Sequence, residues 1–181
     1  MRERLCHAFI GMTLAGLVAC GHDAKTGAAP QPPAVPDALR VGAREVVVER
    51  ASAQGSQVYE CATGDAGFAW KLVGPDAVLT DPAGAPMGKH YAGPTWEALD
   101  GSKVIGALVR KADAPVPGAV PWLLLSAKST EGKGLFANVT SIQRVDTEGG
   151  VAPSIACEAT QAGVRKSIPY RATYYFYATS S

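Results

Sequence analysis

The sequence predicts an all-β domain, an antiparallel β-sandwich or barrel of about eight or nine short strands. Three observations lead to this fold class. The 181-residue chain contains 20 Gly and 13 Pro, which favours many turns over long helices. Apolar and polar residues alternate with a period of two from Val41 to the end of the chain. Turn-forming residue pairs separate the alternating runs at intervals of about 8–15 residues. This spacing fits a sandwich and a barrel equally well.

Length and charge restrict the function. Compact domains run to roughly 100–200 residues, so residues 38–181 fit one β domain with its own core. The chain has 17 Lys and Arg residues and 16 Asp and Glu residues, a formal charge of +1. Proteins that bind nucleic acid by displacing counterions carry a strong positive field, which this balance does not supply. No nucleic-acid partner is therefore predicted.

The N-terminal segment, residues 1–19, has the pattern of a lipoprotein signal peptide. Two arginines precede an apolar stretch over residues 8–18, far shorter than the roughly 20 residues that span a bilayer. Residues 17–20 (LVAC) resemble a bacterial lipobox, which predicts that Cys20 becomes the first mature residue and carries acyl chains such as palmitate. The alternatives are a plain signal peptide and a failed membrane helix, in both of which Cys20 is incidental.

The residues after the lipobox indicate where the anchored protein would lie. Position 21 is Gly and not Asp, which by resemblance to lipoprotein sorting in two-membrane bacteria favours the outer membrane. We therefore expect the membrane as a partner, through the lipid on Cys20, and an envelope location facing the periplasm. Residues 20–37 are rich in Pro, Ala and Gly and lack apolar periodicity, which predicts a flexible tether.

The predicted strands begin with residues 57–61 and continue with residues 68–72 across a Gly-containing turn. Later alternating runs cover residues 102–109, 121–129, 138–146 and 168–178. Residues 122–125 are apolar without alternation, as in a strand covered on both sides. In the last run one face carries Tyr170, Ala172, Tyr174 and Phe176, and the other carries Arg171, Thr173, Tyr175 and Tyr177. Two aromatic faces predict that this last strand is central.

Two cysteines, Cys61 and Cys157, remain in the predicted mature domain. In an oxidising envelope, an even number of remaining cysteines predicts that they pair, which gives a disulfide bond that closes a loop of about 96 residues. Such a bond contributes about 4–5 kcal/mol by restricting the unfolded chain. A metal pair or a nucleophilic thiol is the alternative, but the sequence has no CxxC motif and no His near either cysteine.

Several sequence strings carry a resemblance to a known family. The most specific is HYAGPTW at residues 90–96, followed by DGS at residues 100–102; others are QVYEC at 57–61, PWLL at 121–124 and YYF at 174–176. Over about residues 40 to 178 the chain resembles the secreted bacterial and fungal proteins catalogued as the domain of unknown function numbered three-four-five-five. The resemblance implies no established activity. The malate dehydrogenase label of some relatives does not fit a chain without a GxGxxG motif after a strand, so no cofactor is predicted.

Residues 88–102 concentrate functional side chains and form the predicted ligand site. An aromatic ring beside a His and carboxylates is typical of sugar-binding surfaces, where the ring stacks and polar groups bind hydroxyls. The predicted ligand-binding residues are His90, Tyr91, Trp96, Glu97, Asp100 and, from outside the segment, Arg144. The alternative interpretation is structural: Trp96 packs in the core, His90 binds a loop carbonyl and residues 100–102 form a turn.

Arg144 shares a strand face with the apolar Ile142 and not with Gln143. An arginine in that position is commonly a structural residue, either one that snorkels, with its apolar stem packed and its charged end in water, or one that is ion-paired. The other interpretation is a carboxylate clamp in a pocket, since the planar guanidinium matches a carboxylate with two hydrogen bonds. Both interpretations remain open at the level of the sequence.

An enzyme built from the same segment would use His90 as general base, Asp100 or Glu97 as its orienting partner and Ser102 as nucleophile. The signal is weak because no GxSxG motif is present, and no metal site is predicted because His90 is the only His of the domain. We therefore predict a non-catalytic module that binds a glycan or another small polar ligand. The alternatives are a small periplasmic hydrolase that uses this segment and a structural or assembly protein of the envelope.

Overall fold

The computed structural model of the chain describes residues 30–180. The predicted signal peptide, the lipidation site Cys20 and the tether as far as residue 29 lie outside the described residues. Eight antiparallel strands pair in sequence order, and β8 pairs with β1, so the sheet closes on itself. The strands are β1 (Glu45–Gly64), β2 (Gly67–Thr80), β3 (Pro86–Tyr91), β4 (Thr95–Ala98), β5 (Lys103–Ala112), β6 (Trp122–Glu131), β7 (Ser141–Gly149) and β8 (Arg165–Thr179).

The predicted all-β antiparallel class is confirmed, and the closure through β1 and β8 corresponds to the barrel alternative. One part of the prediction differs: β1, β8 and β2 have 20, 15 and 14 residues, so they are not short. The only helical elements among residues 30–180 are two 3-10 turns, Asp37–Leu39 and Ala159–Gln161. Within this range the chain forms no helix of the length and apolar character needed to span a membrane.

The interior of the closed sheet is filled mainly by aromatic side chains. Tyr174 and Phe176 of β8 meet Trp96 of β4 there, with ring centroids 5.2 and 6.0 Å from the indole, and Phe136 packs 4.6 Å from Phe176. Gly106 on β5 makes room for the indole, because a Cβ at this position would lie 2.9 Å from the Trp96 ring. Strand alternation therefore builds the core, with a glycine placed where the largest side chain needs space.

The outer face of β8 is also covered, as its two aromatic faces predict. Tyr175 and Tyr177 form an outer cluster with Val145, and the side chains that pack against this cluster are Val35, Val41, Val47 and Trp122. The chain before β1 is tied down by a hydrogen bond of 2.6 Å from the Gln143 amide to the Leu39 carbonyl. Residues 35–41 therefore lie against the sheet, while the predicted division into tether and domain stays a prediction.

The predicted disulfide bond between Cys61 and Cys157 is confirmed. Cys61 lies near the end of β1, and Cys157 lies in the connection between β7 and β8. The same connection accepts a hydrogen bond of 3.0 Å from the Trp70 indole to the Ile155 carbonyl. The disulfide and this hydrogen bond thus fasten the connection between β7 and β8 to the hairpin of β1 and β2.

Candidate functional site

The predicted ligand segment, residues 88–102, forms β3, β4 and the turns that follow them, and its side chains divide between two faces. His90 and Trp96 are register partners on neighbouring strands and both point into the closed sheet, where they are 2 % and 1 % exposed. Tyr91 and Glu97 occupy the adjacent positions and therefore point to solvent. The structure places the indole of Trp96 and the imidazole of His90 on one side of the sheet, and Tyr91 with the carboxylate of Glu97 on the other.

His90 is enclosed by aromatic rings. Its ring stacks on Trp96 with centroids 4.4 Å apart and meets the edge of Tyr174 at 5.0 Å. The Nδ1 atom lies 2.9 Å from the Thr95 carbonyl oxygen and must donate to it, since a carbonyl only accepts. Burial lowers the pKa of His90 to about 3, opposed by the Thr95 bond and assisted by the Arg144 charge. His90 is therefore neutral at pH 7.

On the outer face, Glu97 is the centre of a charged network. The Tyr91 hydroxyl donates to its carboxylate at 2.8 Å, and the ammonium groups of Lys89 and Lys103 lie 3.5 and 3.8 Å from the same oxygen. The Tyr91 bond, followed by the lysines, holds the pKa of Glu97 below its usual value. Exposed pairs of this kind contribute little stability, and these groups already bind one another.

Asp100 and Ser102 hold the turn between β4 and β5. Asp100 accepts hydrogen bonds from the Ser102 amide at 2.8 Å, from the Ser102 hydroxyl at 2.6 Å and from the Leu135 amide at 2.8 Å. The Ser102 oxygen in turn accepts from the Phe136 amide at 3.1 Å. Since His90 bonds Thr95 inside the sheet, the three weak catalytic candidates His90, Asp100 and Ser102 do not form a linked set.

Arg144 lies inside the closed sheet together with His90 and Trp96. It pairs in register with Tyr174 of β8, so its side chain leaves the strand on the interior face. The guanidinium is partly buried and donates from Nε and Nη2 to the Pro121 carbonyl at 3.1 and 2.8 Å. Among the residues that the structure describes, no carboxylate lies within ion-pair distance of Arg144. Within residues 30–180 Arg144 is therefore not ion-paired, while the snorkelling residue and the carboxylate clamp both stay predictions.

The Arg144 charge acts on a group of buried tyrosines. Burial raises the pKa of Tyr59, Tyr170 and Tyr174, and the nearby guanidinium opposes that rise in each of them. The Tyr170 and Tyr174 hydroxyls are hydrogen-bonded to each other. Tyr59 donates to the Gly150 carbonyl at 2.7 Å. The interior end around Arg144 therefore carries three phenol groups.

Gln57 is a further residue of this end that the sequence analysis did not single out. It is 1 % exposed, and its amide nitrogen has no hydrogen-bond partner within the described chain. Gly150 joins it to the tyrosines, because a Cβ on Gly150 would meet Gln57 at 3.0 Å and Tyr170 at 3.2 Å. The available signal was Gln57 itself, an amide on the same strand face as Tyr59 and Cys61.

A surface cleft of about 360 Å³ adjoins this end of the interior. It is lined by Gln54, Gly55, Glu148, Gly149, Pro169, Tyr170 and Arg171. Tyr170 belongs both to this lining and to the hydroxyl pair beside Arg144. In the part of the chain with described positions, no group of three His, Cys, Asp or Glu side chains is arranged to hold a metal ion.

Comparison with known proteins gives one match. A family model described as protein of unknown function (DUF3455) matches residues 42–178, about three quarters of the chain. The matched region includes nearly all of the closed sheet, from just before β1 to the end of β8. No curated protein and no solved structure matches the chain.

Proposed function

We propose that the domain of this chain, which belongs to the DUF3455 family, is a non-catalytic module that binds a small polar ligand at Arg144. The family resemblance predicted from the sequence strings is thereby confirmed, and it brings no activity with it. The observation that carries the proposal is the partly buried Arg144 guanidinium, which has no carboxylate partner among the described residues.

The energetic reason is the cost of removing a charge from water. Desolvation of an ion costs several kcal/mol in a real protein, so buried charges are ordinarily paired. The Pro121 carbonyl accepts two hydrogen bonds from Arg144 but carries no charge to neutralise it. A closed sheet of eight strands has an interior that accommodates side chains or one small ligand. A ligand that partners the guanidinium explains why the charge is placed there.

The arrangement of the other predicted residues favours binding over hydrolysis. A serine nucleophile needs a base within hydrogen-bond reach, but the Ser102 hydroxyl donates to Asp100 and His90 donates to Thr95. The solvent-facing pair of Tyr91 and Glu97 is occupied by its own bond and by two lysines. Within residues 30–180, the interior beside Arg144 holds a polar group without a hydrogen-bond partner, the Gln57 amide nitrogen.

We place this module in the bacterial cell envelope, anchored to the outer membrane through a lipid on Cys20 and facing the periplasm. The LVAC sequence at residues 17–20 supports the anchor, and the Cys61–Cys157 disulfide supports an oxidising compartment. A Cys20→Ser variant should lose incorporation of labelled palmitate and appear in the soluble periplasmic fraction. Lipid labelling that survives this substitution contradicts the anchor.

The binding proposal is tested by a thermal-shift screen of the exported, oxidised protein. The screen covers cell-wall sugars, organic acids and divalent metal ions, with wild type and Arg144→Met side by side. A ligand at 100 times its dissociation constant adds about 2.7 kcal/mol, which raises the unfolding midpoint by about 5–10 °C. We expect such a ligand for the wild type and no shift for Arg144→Met. Shifts of equal size in both proteins, or none in the wild type, contradict the proposal.

A further inference from the structure

The unpaired donors of the interior indicate which class of ligand it takes, and this inference rests on the binding function proposed above. The buried side-chain atoms without a hydrogen-bond partner among the described residues are Arg50 Nε, Gln57 Nε2, Trp96 Nε1 and Trp122 Nε1. All are nitrogens that donate, and Gln57 and Trp96 belong to the interior. A donor is satisfied only by an acceptor atom, and these two interior nitrogens have none within hydrogen-bond reach among the described residues.

The charge of the site also favours a ligand that carries acceptor oxygens. Among the described residues, Arg144 is the one charged side chain that shifts the pKa of Tyr59, His90 and Tyr174. His90 itself is neutral because burial lowers its pKa to about 3. The surroundings of the guanidinium thus carry one uncompensated positive charge. A neutral sugar leaves that charge in place, whereas a carboxylate neutralises it and matches its planar geometry.

The guanidinium also has donors to spare. It carries five N–H groups. The Pro121 carbonyl accepts from two of its nitrogens, and hydrogen bonds with Arg144 also lower the pKa of Tyr170 and Tyr174. The hydroxyls of Tyr170 and Tyr174 hold two hydrogens, of which their mutual bond uses one. Tyr170, one member of this pair, also lines the surface cleft.

We infer that this interior site binds a small carboxylate. Its oxygens accept hydrogen bonds from Arg144, the charged partner, and from the neighbouring neutral donors, the Gln57 amide and the tyrosine hydroxyl hydrogen that the Tyr170–Tyr174 pair does not use. The ligand supplies a negative charge, which no described residue within ion-pair distance of Arg144 provides, and an acceptor for the Gln57 amide.

The test compares a carboxylate with its neutral amide. Acetate and acetamide have the same shape and number of heavy atoms but differ in charge, and sodium chloride at equal ionic strength controls for screening. A ligand of four heavy atoms binds at best with a dissociation constant of about 0.1 mM, so the titration extends to 100 mM or about that. We expect saturable chemical-shift changes in the exported, oxidised full chain with acetate and none with acetamide or chloride.

Three variants assign the effect to the guanidinium. Arg144→Met should weaken acetate binding at least about tenfold, because a charge-assisted bond is lost. Arg144→Lys keeps the charge without the planar fork and should retain part of the affinity. Arg110→Met is the matched control, since Arg110 is exposed and also donates to a backbone carbonyl; its affinity should equal that of the wild type.

Stability of the ligand-free variants separates a binding role from a structural one. In Arg144→Met the loss of a partner for the Pro121 carbonyl is offset by removal of an uncompensated charge, so the unfolding midpoint should stay close to that of the wild type. A collapse of the fold in Arg144→Met, together with acetate affinity unchanged in Arg144→Lys, overturns the inference.

The outcomes distinguish this inference from the proposed function. Binding of a neutral sugar or of acetamide that depends on Arg144 retains the binding module and refutes the carboxylate. Acetate binding that is equally strong in wild type and Arg144→Met refutes the site. No binding by any probe in the thermal-shift screen or in this titration refutes both.

Discussion

At the scale of single residues, strand alternation decides which groups lose their contact with water. His90 and Trp96 face the interior as register partners, while their neighbours Tyr91 and Glu97 face solvent. The imidazole lies between aromatic rings, and burial is the main reason that its pKa is lowered to about 3. This side chain is thus a neutral member of the core at physiological pH.

We expect acid to destabilise the protein through His90. A base whose pKa is lower in the folded protein than in the unfolded chain takes up protons preferentially on unfolding. The contribution of neutral His90 to the free energy of unfolding is therefore complete above about pH 6.5. This contribution falls as the pH is lowered toward the folded pKa, by up to about 1.4 kcal/mol per pH unit. Urea unfolding of wild type and His90→Phe at pH 7, 6 and 5 measures this effect.

The His90→Phe variant should show a much smaller loss of stability over that range, because phenylalanine keeps the stacking on Trp96 but does not titrate. Most carboxylates titrate below pH 5, which leaves the range from pH 7 to 5 to histidine. His22 is present in both proteins and cancels in the comparison. Equal pH dependence of the two proteins contradicts a buried, neutral His90.

At the scale of elements, the turn between β4 and β5 is fixed by side chains and not by the backbone alone. Ser102 is 0 % exposed, and its hydroxyl connects Asp100 to the Phe136 amide. These bonds attach the chain before β7 to the end of the sheet where Phe136 closes the core. Asp100 and Ser102, two of the three catalytic candidates that the sequence offered, thus hold this turn.

Ser102→Ala should lower the free energy of unfolding by about 1–3 kcal/mol, because it leaves the buried Phe136 amide without its acceptor. Denaturant unfolding measures the difference. Ser129→Ala, an exposed serine on β6, is the matched control and should stay within about 0.5 kcal/mol of the wild type. A Ser102→Ala protein as stable as the wild type contradicts the structural role.

Alternation predicts some strands better than others. The expected runs at residues 102–109, 121–129 and 168–178 lie within one to three residues of β5, β6 and β8 at either end. β1 was anticipated only at residues 57–61, because Ala51, Ala53 and Gly55 line the interior without an apolar signal. Small residues are needed there: a Cβ at Gly55 would lie 2.1 Å from the Asp76 carbonyl oxygen.

At the scale of the whole molecule, closure of the sheet depends on pairing between β1 and β8, which are far apart in sequence. No local pattern encodes such pairing, which is why the sequence did not separate a sandwich from a barrel. The same closure brings His90 and Arg144 to one interior, although they belong to different parts of the chain. The sequence named both residues, but the enclosing tyrosines and Gln57 followed only from the three-dimensional arrangement.

The disulfide bond acts at this scale because it closes a loop of 96 residues. Replacing both Cys61 and Cys157 by alanine should lower the free energy of unfolding by about 4–5 kcal/mol, since the unfolded chain regains the freedom that the bond removes. Denaturant unfolding of the Cys61→Ala/Cys157→Ala protein measures the loss, with Cys20→Ser as the control that leaves the bond intact. Equal unfolding midpoints in the double variant and the control contradict this role.

The most direct test of the account is the nuclear magnetic resonance signal of the Arg144 Nε–H group during titration with acetate. We expect acetate to cause a saturable shift of this signal and acetamide to cause none, while the Nε–H signal of the exposed Arg110 stays in place. The comparison observes the proposed contact atom itself. An Arg144 signal that does not respond to any carboxylate in the titration would show that the guanidinium is a structural group, and that the domain binds its partners elsewhere.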